Sequence, residues 1–577
     1  MRFSYAAELT ALLLISASPV LAQPAVTGFL PTRNARSAPR ATNVALTFSQ
    51  AVSAASAANV RVFSAQRGGQ LNRAGGGVLS GGGTATLTFD PAQDFRPGEV
   101  ISVTVPATVQ STGGQPAAPT VYQFRTATGG TGTGTLTNPL DLPIGTITAS
   151  GLPYDITTGD IDGDHDADIL VAIPSDDELL LWRNNGNGTF APAQHLAMSS
   201  RPGAFVLGDF NGDGHLDIAI ESGLQFELLI NNGTGSSWRR ASATGLLGPL
   251  TMIVAGDVNG DGHLDLLTTS AGQGSQPGYF AVMKNDGNEQ FDAPIEITVG
   301  VDPMSLAVGD IDADGDLDAV VANFNDDDVS IVRNNGTGTF TVGAATVPVG
   351  ISPNGVALGD IDADGDLDFV TADATGSTAS IRRNDGTGAF SGTGSVSGGD
   401  TPERVLLGDL DHDGDLDLLL SSFAFTASGS TDAVVRLNNG SGQFSSAGQT
   451  AIPGPAFGAT MTDIDGDLDL DLITCNHSGP QSTVSIRYNG GTGPTSTTAE
   501  MAPAALGVYP SPAPATAPIR LTGAEARQPV EVLDGLGRRV AALLTDADGA
   551  ATLQPGTLRP GLHVVRCGAA TRRLVVE

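Results

Sequence analysis

The stretch GDIDADGDLD occupies residues 309–318 and stands again, unchanged, at 359–368. It sets carboxylates at alternate positions, Asp310, Asp312, Asp314, Asp316 and Asp318, then Asp360, Asp362, Asp364, Asp366 and Asp368. Related segments open at Asp160, Asp209, Asp257, Asp409 and Asp463, giving seven copies at intervals of 49, 48, 53, 50, 49 and 54 residues. Counted from its first residue, copy one carries Asp160, Asp162, Asp164, Asp166 and Asp168. Copy six carries Asp409, Asp411, Asp413, Asp415 and Asp417, and copy seven Asp463, Asp465, Asp467, Asp469 and Asp471. Copies two and three put Asn at position 3 and His at position 7: Asp209, Asn211, Asp213, His215, Asp217 and Asp257, Asn259, Asp261, His263, Asp265. Position 2 is apolar in every copy, and position 8 is Leu in six copies and Ala167 in the first.

A solvated acidic turn requires neither fixed spacing nor apolar residues at two set places. Of the 62 acidic residues in the chain, 31 fall inside these segments. Carboxylates so crowded raise one another's pKa, and a bound cation relieves them. The donors are all oxygens, which suits Ca²⁺; Mg²⁺ keeps more water, and Zn²⁺ or copper takes thiolate or imidazole. The expected ligands are the side chains at positions 1, 3, 5 and 9 and the main-chain oxygen at position 7, so the rings of His215 and His263 need not coordinate. Up to seven Ca²⁺ are expected. Gly at position 6 (Gly214, Gly262, Gly315, Gly365, Gly414) permits a sharp turn around the ion. His165 and Leu468 stand there in loops one and seven, which are expected to be strained or weaker sites.

Each copy sits in the same setting. An apolar run ends in Gly-Asp, as in Val356–Asp360; after the loop come two strand-like runs, a turn such as Asn384-Asp385-Gly386-Thr387-Gly388, and a fourth run beginning near Phe390. The Asn-Gly and Asp-Gly pairs read as hairpin turns with positive φ at both central residues. Four strands per repeat of about 50 residues describe a propeller blade. Seven repeats predict seven blades over residues 129–500, with residues 133–150 supplying the strand missing from the last repeat. Residues 23–128 show alternating runs of a small antiparallel sandwich, followed by a Gly/Thr-rich linker from Gly129 to Thr135. A Pro/Ala-rich linker, 501–518, precedes further strand-like runs in 519–577. The predicted fold class is therefore all-β: a seven-bladed β-propeller flanked by an N-terminal Ig-like β-sandwich and a small C-terminal β-sandwich.

Whole-chain properties narrow the function. A formal charge of −34 argues against nucleic acid and anionic membranes as partners. Cys475 and Cys567 lie in different predicted domains, so no structural disulfide is expected. Residues 1–22, with Arg2, the apolar run Leu9–Ile15 and Val20-Leu21-Ala22, read as a signal peptide. No transmembrane segment is expected.

The run Gly208–Asp217 followed by Leu229-Ile230-Asn231-Asn232-Gly233 resembles the FG-GAP/VCBS repeat, which builds the seven-bladed propeller of integrin α chains and of many bacterial surface proteins. The resemblance implies Ca²⁺ held by side chains at positions 1, 3, 5 and 9 and the main chain at 7. Residues 24–126 are similar to a bacterial Ig-like domain, usually a spacer. Val508-Tyr509-Pro510-Ser511-Pro512, Val532-Leu533-Asp534, Gly537-Arg538 and Leu558–Val564 resemble the type A sorting domain of type IX secretion in Bacteroidota, with Ser511 and His563 standing where Asn and Tyr are usual. That likeness implies the type IX secretion machinery as a partner and a secreted or outer-membrane surface location. The expected function is non-enzymatic: a calcium-binding propeller mediating cell adhesion through a glycan or surface-protein ligand. The alternative is an extracellular polysaccharide-active hydrolase or lyase on the same scaffold. It requires catalytic groups outside the loops, yet four of the seven histidines lie inside them and no Gly-x-Ser-x-Gly elbow precedes a helix.

Overall fold

The computed structural model describes residues 23–64, 66, 69–73, 76–144, 153–245, 248–272, 274–423, 431–477, 482–490, 507–509, 519–522, 527–534, 538–545, 551–554, 558–567 and 570–576. The predicted signal peptide and most of the Pro/Ala-rich linker lie outside them. The fold is all-β.

Alternation builds the N-terminal domain. In Val44–Phe48 the side chains of Val44, Leu46 and Phe48 are buried, while Ala45 and Thr47 face outward. Two four-stranded sheets result. One orders Val26–Leu30, Val44–Phe48, Thr86–Pro91 and Gly77–Ser80; the other orders Gly69–Gln70, Arg61–Ser64, Val100–Val105 and Thr120–Arg125. They close over a single core that includes Phe89, Phe95, Tyr122 and Phe124. At the far end of the chain, a three-stranded and a four-stranded sheet enclose a smaller core of Val530, Val532, Leu553, Val565 and Leu574.

Between them, among the described residues, lie seven antiparallel sheets, the first six with their strands in chain order. In the fifth the strands are Pro353–Gly359, Asp368–Asp373, Thr378–Asn384 and Phe390–Ser397. The second strand of that sheet is buried at all six positions, because it has strands on both sides and sheets above and below. The first strands of successive sheets touch in cyclic order, and Ala456–Thr462 of the last meets Asp155–Gly159 of the first. The last sheet is completed by Leu136–Pro143, which pairs with Thr483–Asn489 (Leu140 opposite Ile486). The result is a propeller-like ring whose ends meet.

The apolar positions of the acidic loops fill the space between sheets. Ile361 and Leu416, at positions 2 and 8 of adjacent loops, belong to one core with Val370, Val405 and Leu418. Position 8 also explains the Gly before loops two to six. A Cβ on Gly359 would stand 2.7 Å from the Leu416 side chain, and one on Gly408 2.7 Å from Leu470. The seventh first-strand ends in Thr462 instead of Gly, and the matching position of the next loop around the ring is Ala167. Both are buried. Bulk gained on one side of the junction is removed from the other.

This complementarity gives a test of closure. Ala167→Leu should cost about 1–3 kcal/mol by overpacking, and adding Thr462→Gly should recover most of the loss in a double-mutant thermal melt. Additive effects would show that these two residues do not face each other.

Candidate metal centres in the acidic loops

The loops are wound by their own carboxylates. Position 1 accepts the amide of position 6 in all seven loops, from His165 N–H to Asp160 (3.1 Å) through Leu468 N–H to Asp463 (3.1 Å). The position 5 carboxylate accepts the amide of position 7, as from Asp366 to Asp364 at 3.0 Å. Position 9 is bound at both oxygens. Asp368 takes the Ile361 amide at 3.3 Å and the Asn384 amide at 2.8 Å, and its equivalents do the same in the other six loops.

The Asn that ends or closely follows each third strand is the residue sequence reasoning missed. Its Nδ2 donates to the position 2 carbonyl of the preceding sheet's loop: Asn184 to Ile464, Asn231 to Ile161, Asn285 to Phe210 and onward to Asn489 with Leu410, all at 2.7–2.8 Å. Seven such bonds run once around the ring. The following turn differs from the expected hairpin, since its positive φ angles fall at the third and fifth residues and not at adjacent ones, as at Gly386 (+78°) and Gly388 (+69°), with Glu289 (+65°) at the fifth place in the third sheet. The intervening Asp385 side chain instead accepts the Thr387 amide at 3.0 Å. Gly386 has its own constraint: a Cβ there would lie 2.7 Å from the position 7 carboxylate of Asp366.

Strain is spread more widely than expected. Position 6 is left-handed in loops one and seven (His165 φ +78°, Leu468 φ +79°), but position 4 is left-handed as well. Ala313 (φ +61°), Ala363 (φ +67°) and His412 (φ +65°) occupy it in loops four, five and six. Five loops thus carry a residue other than Gly in a conformation that costs roughly 1–2 kcal/mol. Only loops two and three have Gly at both corners.

In five loops three carboxylates each offer an oxygen within 4.8 Å of the other two. They are positions 1, 3 and 9 in loops four to seven (Asp310, Asp312, Asp318; Asp360, Asp362, Asp368; Asp409, Asp411, Asp417; Asp463, Asp465, Asp471) and Asp160, Asp162 and Asp164 in loop one. Position 7 side chains stay out: the His215 and His263 rings lie against Gly233 and Gly287, and Asp415 pairs with Arg36 at 2.7 Å. At position 3 the two oxygens part company. Arg333 holds Asp312 Oδ2 at 2.7 Å, Arg383 holds Asp362 Oδ2 at 3.2 Å and Arg183 holds Asp162 Oδ2 at 3.4 Å. The Oδ1 atoms of Asp162, Asp312 and Asp362 are buried and have no hydrogen-bond partner. The Oδ1 atoms of Asp209, Asp310, Asp409 and Asp411 share that state. Bare carboxylate oxygens cost free energy unless a cation meets them, so a hard divalent cation fits this donor set. Burial pushes the position 9 carboxyls up, to about 7 for Asp168 and Asp368 and about 8 for Asp217, Asp265, Asp318 and Asp417.

The opposite mouth of the ring holds a second group: Tyr154, Asp155, Glu221, Asn354, Glu403 and Arg404. Asn354 donates to Glu403 at 2.5 Å. Burial raises Glu221 and Glu403 to about 7 each.

Residues 160–220, 257–321, 310–371 and 360–420 match the FG-GAP-like repeat, and residues 21–126 match a bacterial Ig-like domain. The chain is thus an all-β protein that contains FG-GAP-like repeats behind an N-terminal bacterial Ig-like domain. No curated protein matches it. Among solved structures it is similar to an Agrocybe aegerita lectin that recognises non-reducing terminal N-acetylglucosamine, at 20% identity over 58% of this chain and 86% of that one (TM-score 0.37). A functionally unknown protein from Desulfotomaculum acetoxidans DSM 771 is 9% identical over 66% and 97% (TM-score 0.41). Virginiamycin B lyase from Staphylococcus aureus is 11% identical over 61% and 98% (TM-score 0.39).

Asn384→Ala removes the cross-sheet bond and should cost about 1–3 kcal/mol; Asp385→Ala, beside it in the exposed turn, should cost well under half as much in the same melt. Glu221 behaves differently. Its folded pKa of about 7 lies above the ordinary 4.5, so the folded state keeps a proton the unfolded chain has lost, and stability falls as pH climbs between those values. With calcium saturating, Glu221→Gln should raise Tm at pH 8 and leave it nearly unchanged at pH 5.

Proposed function

We propose that this chain is a non-catalytic, calcium-binding propeller of the bacterial cell surface that mediates adhesion through a glycan or a surface protein. The observation that carries the reading is the set of buried, partnerless Oδ1 atoms, above all Asp310 and Asp312 side by side in loop four. The seven sheets are read as seven blades, each offering one loop. In each, the side chains at positions 1, 3 and 5 and the main-chain oxygen at 7 would hold the ion, with position 9 completing the donor set while it ties the loop to its third strand. Asn211 and Asn259 would offer amide oxygens at position 3 in loops two and three. Bound calcium would supply the charge that the crowded carboxylates lack. Residues 1–22 fit export through the inner membrane, and residues 519–577 fit a type A sorting domain read by type IX secretion machinery, for a product released or held at the outer surface. Among the described residues no helix is long and apolar enough to cross a membrane.

Elemental analysis of the purified chain at millimolar calcium should find up to seven ions per molecule. Chelation with EDTA should lower Tm by many degrees, since each tenfold fall in free calcium above Kd removes about 1.4 kcal/mol per site. An unchanged melt together with absent calcium would overturn the metal reading. A glycan array probed with and without calcium separates glycan from protein ligands: calcium-dependent spots support the former, and a blank array directs the search to surface proteins.

A further inference from the structure

The N-terminal Ig-like domain does not stand apart as a spacer. It carries eight arginines against three acidic residues, Asp90, Asp94 and Glu99, in a chain whose net charge is −34. It lies on the loop-bearing end of the ring, and several of its contacts converge on one kind of atom. The position 6 carbonyl accepts the Val121 amide in loop four (2.6 Å), Asn34 Nδ2 in loop five (3.2 Å) and Arg96 in loop one. Gly129 N–H, just past the domain, reaches the same atom in loop seven at 3.1 Å. Arginines meet the carboxylates beside these points. Arg33 binds Asp310 Oδ2 and lies 5.1 Å from the centre of the Phe29 ring, which fixes its direction. Arg36 binds Asp415 at 2.7 Å, and its other terminal nitrogen is buried without a partner. Residues 129–135, expected as a linker, are pinned too, with the Gly132 amide on Asp469 at 2.9 Å. The domain thereby covers a cavity of about 560 Å³ lined by Arg36, Gln123 and Arg125 on its side and by the first strands of the ring on the other.

We propose that the docked acidic loops serve two ligands through different atoms: a divalent cation through carboxylate oxygens turned into the loop, and the Ig-like domain through the position 6 carbonyl in loops one, four and five and the outward Oδ2 of Asp310 in loop four. The two sets do not compete, because Asp310 Oδ1 stays bare while Arg33 occupies Oδ2. A cation that fixes the loop also fixes the carbonyl corner on which the domain sits, so binding and docking strengthen each other, and calcium closes the loop-bearing mouth of the ring. This rests on the metal reading above. Reciprocity then requires that weakening the docking weaken calcium.

The test uses the full chain lacking residues 1–22. Small-angle scattering should give a compact particle in calcium and an enlarged radius of gyration in EDTA, with new protease cleavage in residues 128–135. Arg33→Glu with Arg36→Glu should open the particle even in calcium and raise the calcium Kd by roughly tenfold. Arg40→Glu is the control for charge alone, since Arg40 bonds the Phe95 carbonyl within its own domain. Arg33→Gln with Arg36→Gln repeats the test should the reversals fail to fold, as judged by circular dichroism. A compact double variant overturns the docking. Calcium binding with scattering indifferent to EDTA overturns the linkage and leaves the metal reading standing. Absence of bound calcium removes the metal reading, and the arginine variants then judge the docking by itself.

Discussion

Burying a loop of nine residues requires acceptors for its amides, and in this ring aspartates provide them. Position 1 takes the amide of position 6, and position 9 joins the amide of position 2 to that of the third-strand Asn. A charged acceptor makes a shorter and stronger bond than a neutral one. The carboxylates are therefore structural before they are anything else. The same crowding leaves several Oδ1 atoms facing one another with no donor, and that residue of unsatisfied charge is what a cation answers. Fold and site are two consequences of one arrangement.

Neighbouring sheets are tied by more than apolar contact. The Asn bond runs backward to the preceding loop, and an arginine runs forward: Arg183 to the Thr234 carbonyl (3.1 Å), Arg333 to Thr387 (2.6 Å) and Arg383 to Ser441 (2.5 Å). Directional bonds at fixed places set the angle between sheets, whereas an apolar seam alone would let them slide. The Gly-to-Leu packing adds a steric stop at the same level. A ring built this way has little freedom in the number of sheets it can close with.

The four-strand repeat and the all-β class were legible because alternation and turn spacing are local, and seven copies average out noise in any one. Positions 2 and 8 were legible as apolar for the same reason. What lay beyond reading needed three dimensions. Asn384 looked like the first residue of a turn, and no spacing along the chain reveals that its side chain serves the loop of another sheet, 73 residues away at Ile311. The left-handed position 4 was hidden by the variety of Gly, Ala and His found there. The arginines of the N-terminal domain were visible as letters, but a charge summed over the whole chain conceals one basic domain among acidic repeats.

The loops also differ in how their charge is met, which position in the repeat alone does not convey. Where position 3 is Asp in loops one, four and five, the residue before the third-strand Asn is Arg, and it holds the outer oxygen. Loops two and three have Asn at position 3, with Ile230 and Lys284 at the matching place. Loops six and seven keep Asp411 and Asp465 but offer Leu437 and Tyr488. Help comes there from outside the sheet: His412 bridges Thr128 and Asp469, and Arg36 reaches Asp415. The segment after the Ig-like domain is held where the ring's own counter-charge is thinnest. The N-terminal part of the chain is thus anchored both at loops that carry their own arginine, through the position 6 carbonyls of loops one, four and five, and at loop six, which lacks one, through Arg36.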